Sequence, residues 1–121
     1  MPLGRGAIAR SIMAFLPKPQ QLPLITRNLD DLRAVGLGNS PEAIRERLKQ
    51  VRRAGFAVAH GEVTPGAVGI AAPVLDGGYP VASLCVTVAG SSVTGAQIDH
   101  IAAEVRASAQ AIAAGTGVQA S

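Results

Sequence analysis

Aromatic side chains are nearly absent: two Phe, one Tyr and no Trp make up 2% of the 121 residues. The core must therefore be assembled from Ala, Val, Ile and Leu, which pack closely but bury little area per residue. Charged residues are sparse as well, at 16% against 48% hydrophobic, a balance that excludes a disordered tail. The single cysteine, Cys85, excludes an intramolecular disulfide and fits a reducing, cytoplasmic setting. No run of about 18 apolar residues occurs, so neither a transmembrane helix nor a membrane partner is expected.

Recognisable catalytic patterns are missing too. The two histidines, His60 and His100, are expected to stand alone, His100 as a solvated residue of a helix, with no metal and no cofactor. "GRGAIA" lacks the Gly-Lys-Ser/Thr of a phosphate loop, and Cys85 has no identifiable base, so no catalytic residue and no enzyme is expected. The net charge of +3 includes Arg45, Arg47, Lys49, Arg52 and Arg53 in one short segment. That segment also carries an apolar stripe of Ile44, Leu48 and Val51, so the cations read as the solvated face of a surface helix.

The length suits one domain over residues 1–121, and the fourteen Gly and eight Pro predict short elements between many turns. Ile8, Ile12, Phe15 and Leu16 recur at helical spacing after the small residues Gly4, Gly6, Ala7 and Ala9, and Pro17 and Pro19 stop the pattern. Leu22, Leu24, Ile25, Leu29 and Leu32 suggest one or two further helical turns without clear boundaries. "NSPEAIRERLKQVRRAGF" is a helix with Ser40 as N-cap, Pro41 in the first turn and Gly55 as its end. Phe56 to His60 reads as a strand and "GEVTPG" as its turn. At the far end, Thr94 and Gln97 have capping-box spacing, Ile98, Ile101, Val105 and Ile112 form a stripe, and Gly115 and Gly117 are expected to end that helix.

The most legible unit is "GAVGIAAPVLDGGYPVASLCVTVAG", two runs of apolar and small residues joined by Asp76, Gly77 and Gly78, hence a β-hairpin. With Ala71 opposite Cys85, the residues Gly69, Ala71 and Pro73 share one face with Ser83, Cys85 and Thr87. The other face, with Val68, Ile70, Val74, Leu84, Val86 and Val88, is an ordinary core. The first face has little volume but offers two hydroxyls and a thiol. It predicts either a small-molecule cavity or a seat for a helix rich in small residues, such as the first one. The order of elements predicts an α+β fold, an antiparallel β-sheet with flanking helices.

These residues together resemble the effector-binding domain of IclR-type bacterial transcription regulators. The resemblance runs through Val51, Arg52, Gly55 and Phe56, then Glu62 and Gly66, then Ile70 to Val74 ("IAAPV"), then Val81 to Gly90. "GRGAIARSIMAFLP" is similar to that family's small-residue helix with a basic residue, here Arg10, and the likeness extends from Pro2 to Gly117. It implies a GAF/PAS-like fold and a pocket between sheet and helices for a small organic or aromatic acid. Ligand binding there would control DNA binding by a separate winged helix-turn-helix, which this chain is expected to lack together with the first strands of the domain. Carried over by position, the implied ligand-binding residues are Ala7, Ile8, Ala59, Gly69, Cys85 and Thr87. Ala59 stands where members binding small keto acids can have Asp, and Ile8 where a small residue is usual. A bulkier or more apolar effector than a glyoxylate-like acid is implied.

Two other readings compete. One is an oligomerisation or structural remnant without a ligand, and the other a small enzyme using Cys85. An incomplete sheet would expose an edge for another copy to cover, so a homodimer or homotetramer is expected.

Overall fold

Helix formation is most tightly written around Ser40. In the computed structural model, which describes residues 6–61 and 65–120 (side chains to residue 114), its hydroxyl accepts the Ala43 amide at 3.2 Å, and Pro41 opens the helix. That helix ends at Gly55, whose φ of 86° is the left-handed conformation glycine adopts without strain. In chain order the elements are α1 (Ala7–Phe15), α2 (Lys18–Arg27), α3 (Leu29–Ala34), α4 (Pro41–Ala54), β1 (Ala57–His60), β2 (Ala67–Asp76), β3 (Tyr79–Ala89), a 3-10 turn (Gly90–Ser92) and α5 (Gly95–Ala120).

The strands form one antiparallel sheet in the order β1-β2-β3. Ala71 pairs with Cys85, Gly69 with Thr87 and Pro73 with Ser83, the register expected from the sequence. Asp76 pairs with Tyr79 across Gly77 and Gly78, both at positive φ, so the two glycines form the hairpin turn. The turn expected at Gly61 to Gly66 has residues 62–64, including Glu62, outside the described residues, as is Gly4 of the first helix.

The sheet separates two apolar layers. On one side α5 lays Ala102, Val105 and Ala109 against Val68, Ile70, Ala72 and Val74. On the other, α1 places Ala7 against Ala57, Ala59 and Ala71. Behind α1, Met13 and Ala14 join Ile25, Leu32, Leu37, Ile44 and Leu48 in a cluster built by α1 to α4. The architecture is α+β, with helices on both faces of an antiparallel sheet, as expected.

Four expectations are corrected. The buried face of α1 is not the Ile8, Ile12, Phe15 stripe but Ala7, Arg10, Ser11, Met13 and Ala14, while Ile8 is 48% exposed. The sheet face beneath is made of small residues, and close approach favours the small side of the helix. Val86 is 37% exposed rather than core, because α5 lies chiefly along β2 and leaves the outer strand partly uncovered. Ile112 is likewise exposed, and the buried stripe of α5 runs instead through Ala102, Val105 and Ala109. Gly115 and Gly117 do not end α5, which continues to Ala120. A glycine within a helix costs only about 1 kcal/mol relative to Ala and does not by itself break it.

His100 is solvated as expected but does not stand alone, since its Nε2 lies 3.1 Å from Glu104 Oε1 one turn further on. The segment without clear boundaries resolves into α2 and α3, two short helices that bury Ile25 and Leu32.

Candidate functional site

The pairing of three strands sets the site's geometry. Ala59 pairs with Gly69 and Gly69 with Thr87, so these three form one row across the sheet. Ala57, Ala71 and Cys85 form the next row, and Pro73 and Ser83 follow on the same face. Five of the six residues implied as ligand-binding therefore meet: Ala59, Gly69 and Thr87 in the first row, Cys85 in the second, and Ala7 above them. A Cβ built on Gly69 would lie 3.6 Å from the Ala7 Cβ and 3.7 Å from the Cys85 Sγ. Ile8, next on α1, points outward to solvent, and Thr87 is also exposed.

The inner rows are closed. Ser11, fully buried on α1, lies with its hydroxyl 2.8 Å from that of Ser83 on β3, so the space expected beside Ala71 and Ser83 is filled by the helix. The face is thus a helix seat along Ala71 and Ser83 and is accessible toward Thr87. Ser11 was not singled out from the sequence. Its signal is the i, i+4 spacing from Ala7, which places both small residues on one face.

Arg10 fixes where α1 sits. Its side chain is buried and donates from Nη1 to the Val58 carbonyl and from Nη2 to the Val35 carbonyl, each at 3.3 Å. The guanidinium therefore ties α1 to β1 and to the segment after α3, and hydrogen bonds from a charged donor contribute about 1.5 to 3 kcal/mol each. Gln21 adds a bond from Nε2 to the Met13 carbonyl at 2.8 Å, which anchors the far end of α1.

The N-terminus of α1 lies over the row of Ala59, Gly69 and Thr87, because Ala7 contacts Gly69 while Ser11, one turn on, reaches Ser83. Gly6 at the cap provides no side-chain hydrogen bond. The first-turn amides have no acceptor within the helix, and the helix dipole places positive potential there. An acid group at this end would meet backbone donors and positive potential, with small side chains beneath its apolar part.

The thiol of Cys85 has a weak contact with the Val86 carbonyl at 3.8 Å, and among the described residues no His or carboxylate is bonded to it. Nor do three or more His, Cys, Asp or Glu side chains among the described residues group as metal ligands would. No helix among them is long and apolar enough to cross a membrane. Two clefts, of about 230 and 490 Å³, contain none of the six residues, the smaller one reaching Phe15 and Pro73 at its edge.

Comparisons with known proteins agree with this architecture. The family model described as bacterial transcriptional regulator IclR C-terminal matches residues 1–114. A solved domain of Vibrio cholerae, assigned as the C-terminal part of a transcriptional regulator, is 27% identical over 92% of this chain and 64% of its own, with a TM-score of 0.72. The C-terminal domain of the E. coli transcriptional regulator KdgR is 24% identical over 96% of this chain and 71% of its own, with a TM-score of 0.77. Thermotoga maritima IclR is 24% identical over 93% of this chain and 46% of its own, with a TM-score of 0.75. This chain thus spans about half to two-thirds of most of these solved chains. A search of curated proteins found no match.

Proposed function

This chain belongs to the family of bacterial transcriptional regulator IclR C-terminal domains, and from that premise we propose that it is a ligand-sensing module whose effector is a small organic or aromatic acid. The ligand lies against Ala7, Ile8, Ala59, Gly69, Cys85 and Thr87, and its binding governs a winged helix-turn-helix in the regulator that works with this module. The observation that carries the reading is the position of the start of α1 above the small row of Ala59, Gly69 and Thr87. A carboxylate at the helix end gains charge-assisted bonds from first-turn amides, and an apolar body rests at the exposed Thr87 end of the row, since Ala7 already covers Ala59 and Gly69. Ala59 adds no polar group, which favours a more apolar acid than a glyoxylate-like one.

Thermal melts of the purified chain with a panel of organic and aromatic acids test this reading. A saturable rise in melting temperature with at least one acid, lost in Cys85→Leu, is the expected result. No response to any acid, or a response unchanged in Cys85→Leu, would reject it.

One observation favours a second reading, an oligomerisation module without a ligand. The hydroxyl pair of Ser11 and Ser83 already closes the inner rows, and β3 leaves Val81 and Val86 exposed on an open strand edge. Native mass spectrometry separates the two, since this alternative predicts a dimer carrying no small molecule.

A further inference from the structure

We propose that the cleft between the C-terminal end of α4 and the middle of α5 is a second anion site, distinct from the α1 face. It takes a small dianion with an apolar body through Arg52, Arg53 and Arg106. The cleft has a volume of about 230 Å³, with these three arginines around a floor that includes Ala72, Ala109 and Ala113. Pockets for drug-sized ligands span roughly 300 to 1,000 Å³, so this one suits a smaller metabolite.

The charge is uncompensated. Among the described residues, Lys49 lies 4.0 Å from Glu46 and His100 lies 3.1 Å from Glu104, and none of the three guanidiniums has a carboxylate or hydrogen-bond partner. The C-terminal end of α4 offers roughly half an elementary negative charge, which leaves most of the three positive charges unbalanced. Packing holds two of the guanidiniums in place instead of counter-ions. Arg52 lies over the Phe15 ring, 5.7 Å from its centroid. Arg106 lies against Gly55 so closely that a Cβ there would be 2.6 Å from its Nε. Gly55 thus ends α4 and gives Arg106 its seat. Gln110, also lining the cleft, offers a further amide donor. An apolar concave floor beneath paired guanidiniums fits a compact organic dianion better than an extended nucleic-acid backbone.

Calorimetric and amide NMR titrations of the 121-residue chain at physiological ionic strength, with phthalate, phenyl phosphate and inorganic phosphate as probes, test the proposal. At least one organic dianion is expected to saturate, moving the amides of Gly55, Arg106 and Gln110. Arg106→Gln and Arg52→Gln are each expected to weaken it at least tenfold. Arg47→Gln removes the same charge from an exposed position of α4 outside the cleft and is expected to leave binding unchanged. The amides that move, Gly55, Arg106 and Gln110 rather than Ala7 and Gly69, separate this site from the one on α1. Absence of saturation, an equal loss in Arg47→Gln, or shifts confined to Ala7 and Gly69 would overturn the proposal. So would inorganic phosphate binding as tightly as the organic probes, or full competition by short duplex DNA.

Discussion

The hydroxyls of Ser11 and Ser83 lie 2.8 Å apart and join α1 to β3 across 72 positions of sequence. Ser11 also donates to the Ile8 carbonyl at 2.8 Å, and Ser83 approaches the Ala72 carbonyl at 3.3 Å. Two protons serve three contacts, and the two shortest are satisfied when Ser83 donates to Ser11 and Ser11 to Ile8. Ser83→Ala then removes one neutral bond but leaves the buried Ser11 proton with its acceptor. The expected cost is about 1 kcal/mol, measured as a shift in the urea unfolding midpoint. A cost above about 3 kcal/mol would mean that Ser11 depends on Ser83 for its own satisfaction.

Gly55 and Gly69 respond oppositely to an added methyl. At Gly55 the positive φ and the 2.6 Å approach of Arg106 make Gly55→Ala destabilising by more than about 1 kcal/mol. At Gly69 the added Cβ meets neighbours at ordinary contact distances of 3.6 and 3.7 Å, and the backbone lies outside the left-handed region. Gly69→Ala is expected to be neutral, or stabilising by up to about 1 kcal/mol, while shallowing the proposed ligand row. Paired thermal melts check both, and a destabilised Gly69→Ala would show that α1 sits more tightly than the geometry allows.

Cys85 and Thr87 separate volume from hydrogen bonding. Cys85 is half-buried beside Ala7, so Cys85→Leu is expected to cost about 1 to 3 kcal/mol by overpacking and to abolish acid binding. Thr87 is exposed, and Thr87→Val keeps its shape, so stability should hold while a ligand bonded to the hydroxyl loses about 1 kcal/mol, roughly fivefold in affinity. Calorimetric titration of both variants with the acid that stabilises the parent chain provides the check. An unaltered affinity in Cys85→Leu would place the ligand elsewhere.

β3 is an edge strand of eleven residues with Val81 and Val86 exposed. Edges of this length and character invite pairing with another strand. Analytical ultracentrifugation at micromolar concentration is expected to show a dimer or larger species, dissociated by Val86→Lys. A monomer across that range would contradict the expectation.

The hairpin was legible because its signals are local: two glycines that allow positive φ, and an alternation whose period fixes which residues share a face. The same holds for α4, where Ser40, Pro41 and Gly55 write both ends, and for α5's start, where Thr94 and Gln97 exchange bonds of 2.8 and 3.2 Å. The orientation of α1 was not legible. Ile8 and Ile12 have the larger apolar surface, but the helix turns Ala7 and Ser11 inward because the sheet beneath is itself small-sided. The helices around Pro23 lacked a continuous stripe, and two short helices meeting at Asn28 have none to show. The arginine cleft was invisible for a different reason: Arg52 and Arg53 read correctly as an exposed helix face, and only folding brings Arg106 beside them.

The acid site proposed at the start of α1, over the row of Ala59, Gly69 and Thr87, is tested most directly by an amide NMR titration of the chain with the stabilising acid. The predicted result is a saturable shift of Ala7, Ile8, Gly69 and Thr87, with Gly69→Ala reducing affinity. Shifts absent from these four residues at saturation, or present only around Gly55 and Arg106, would contradict it.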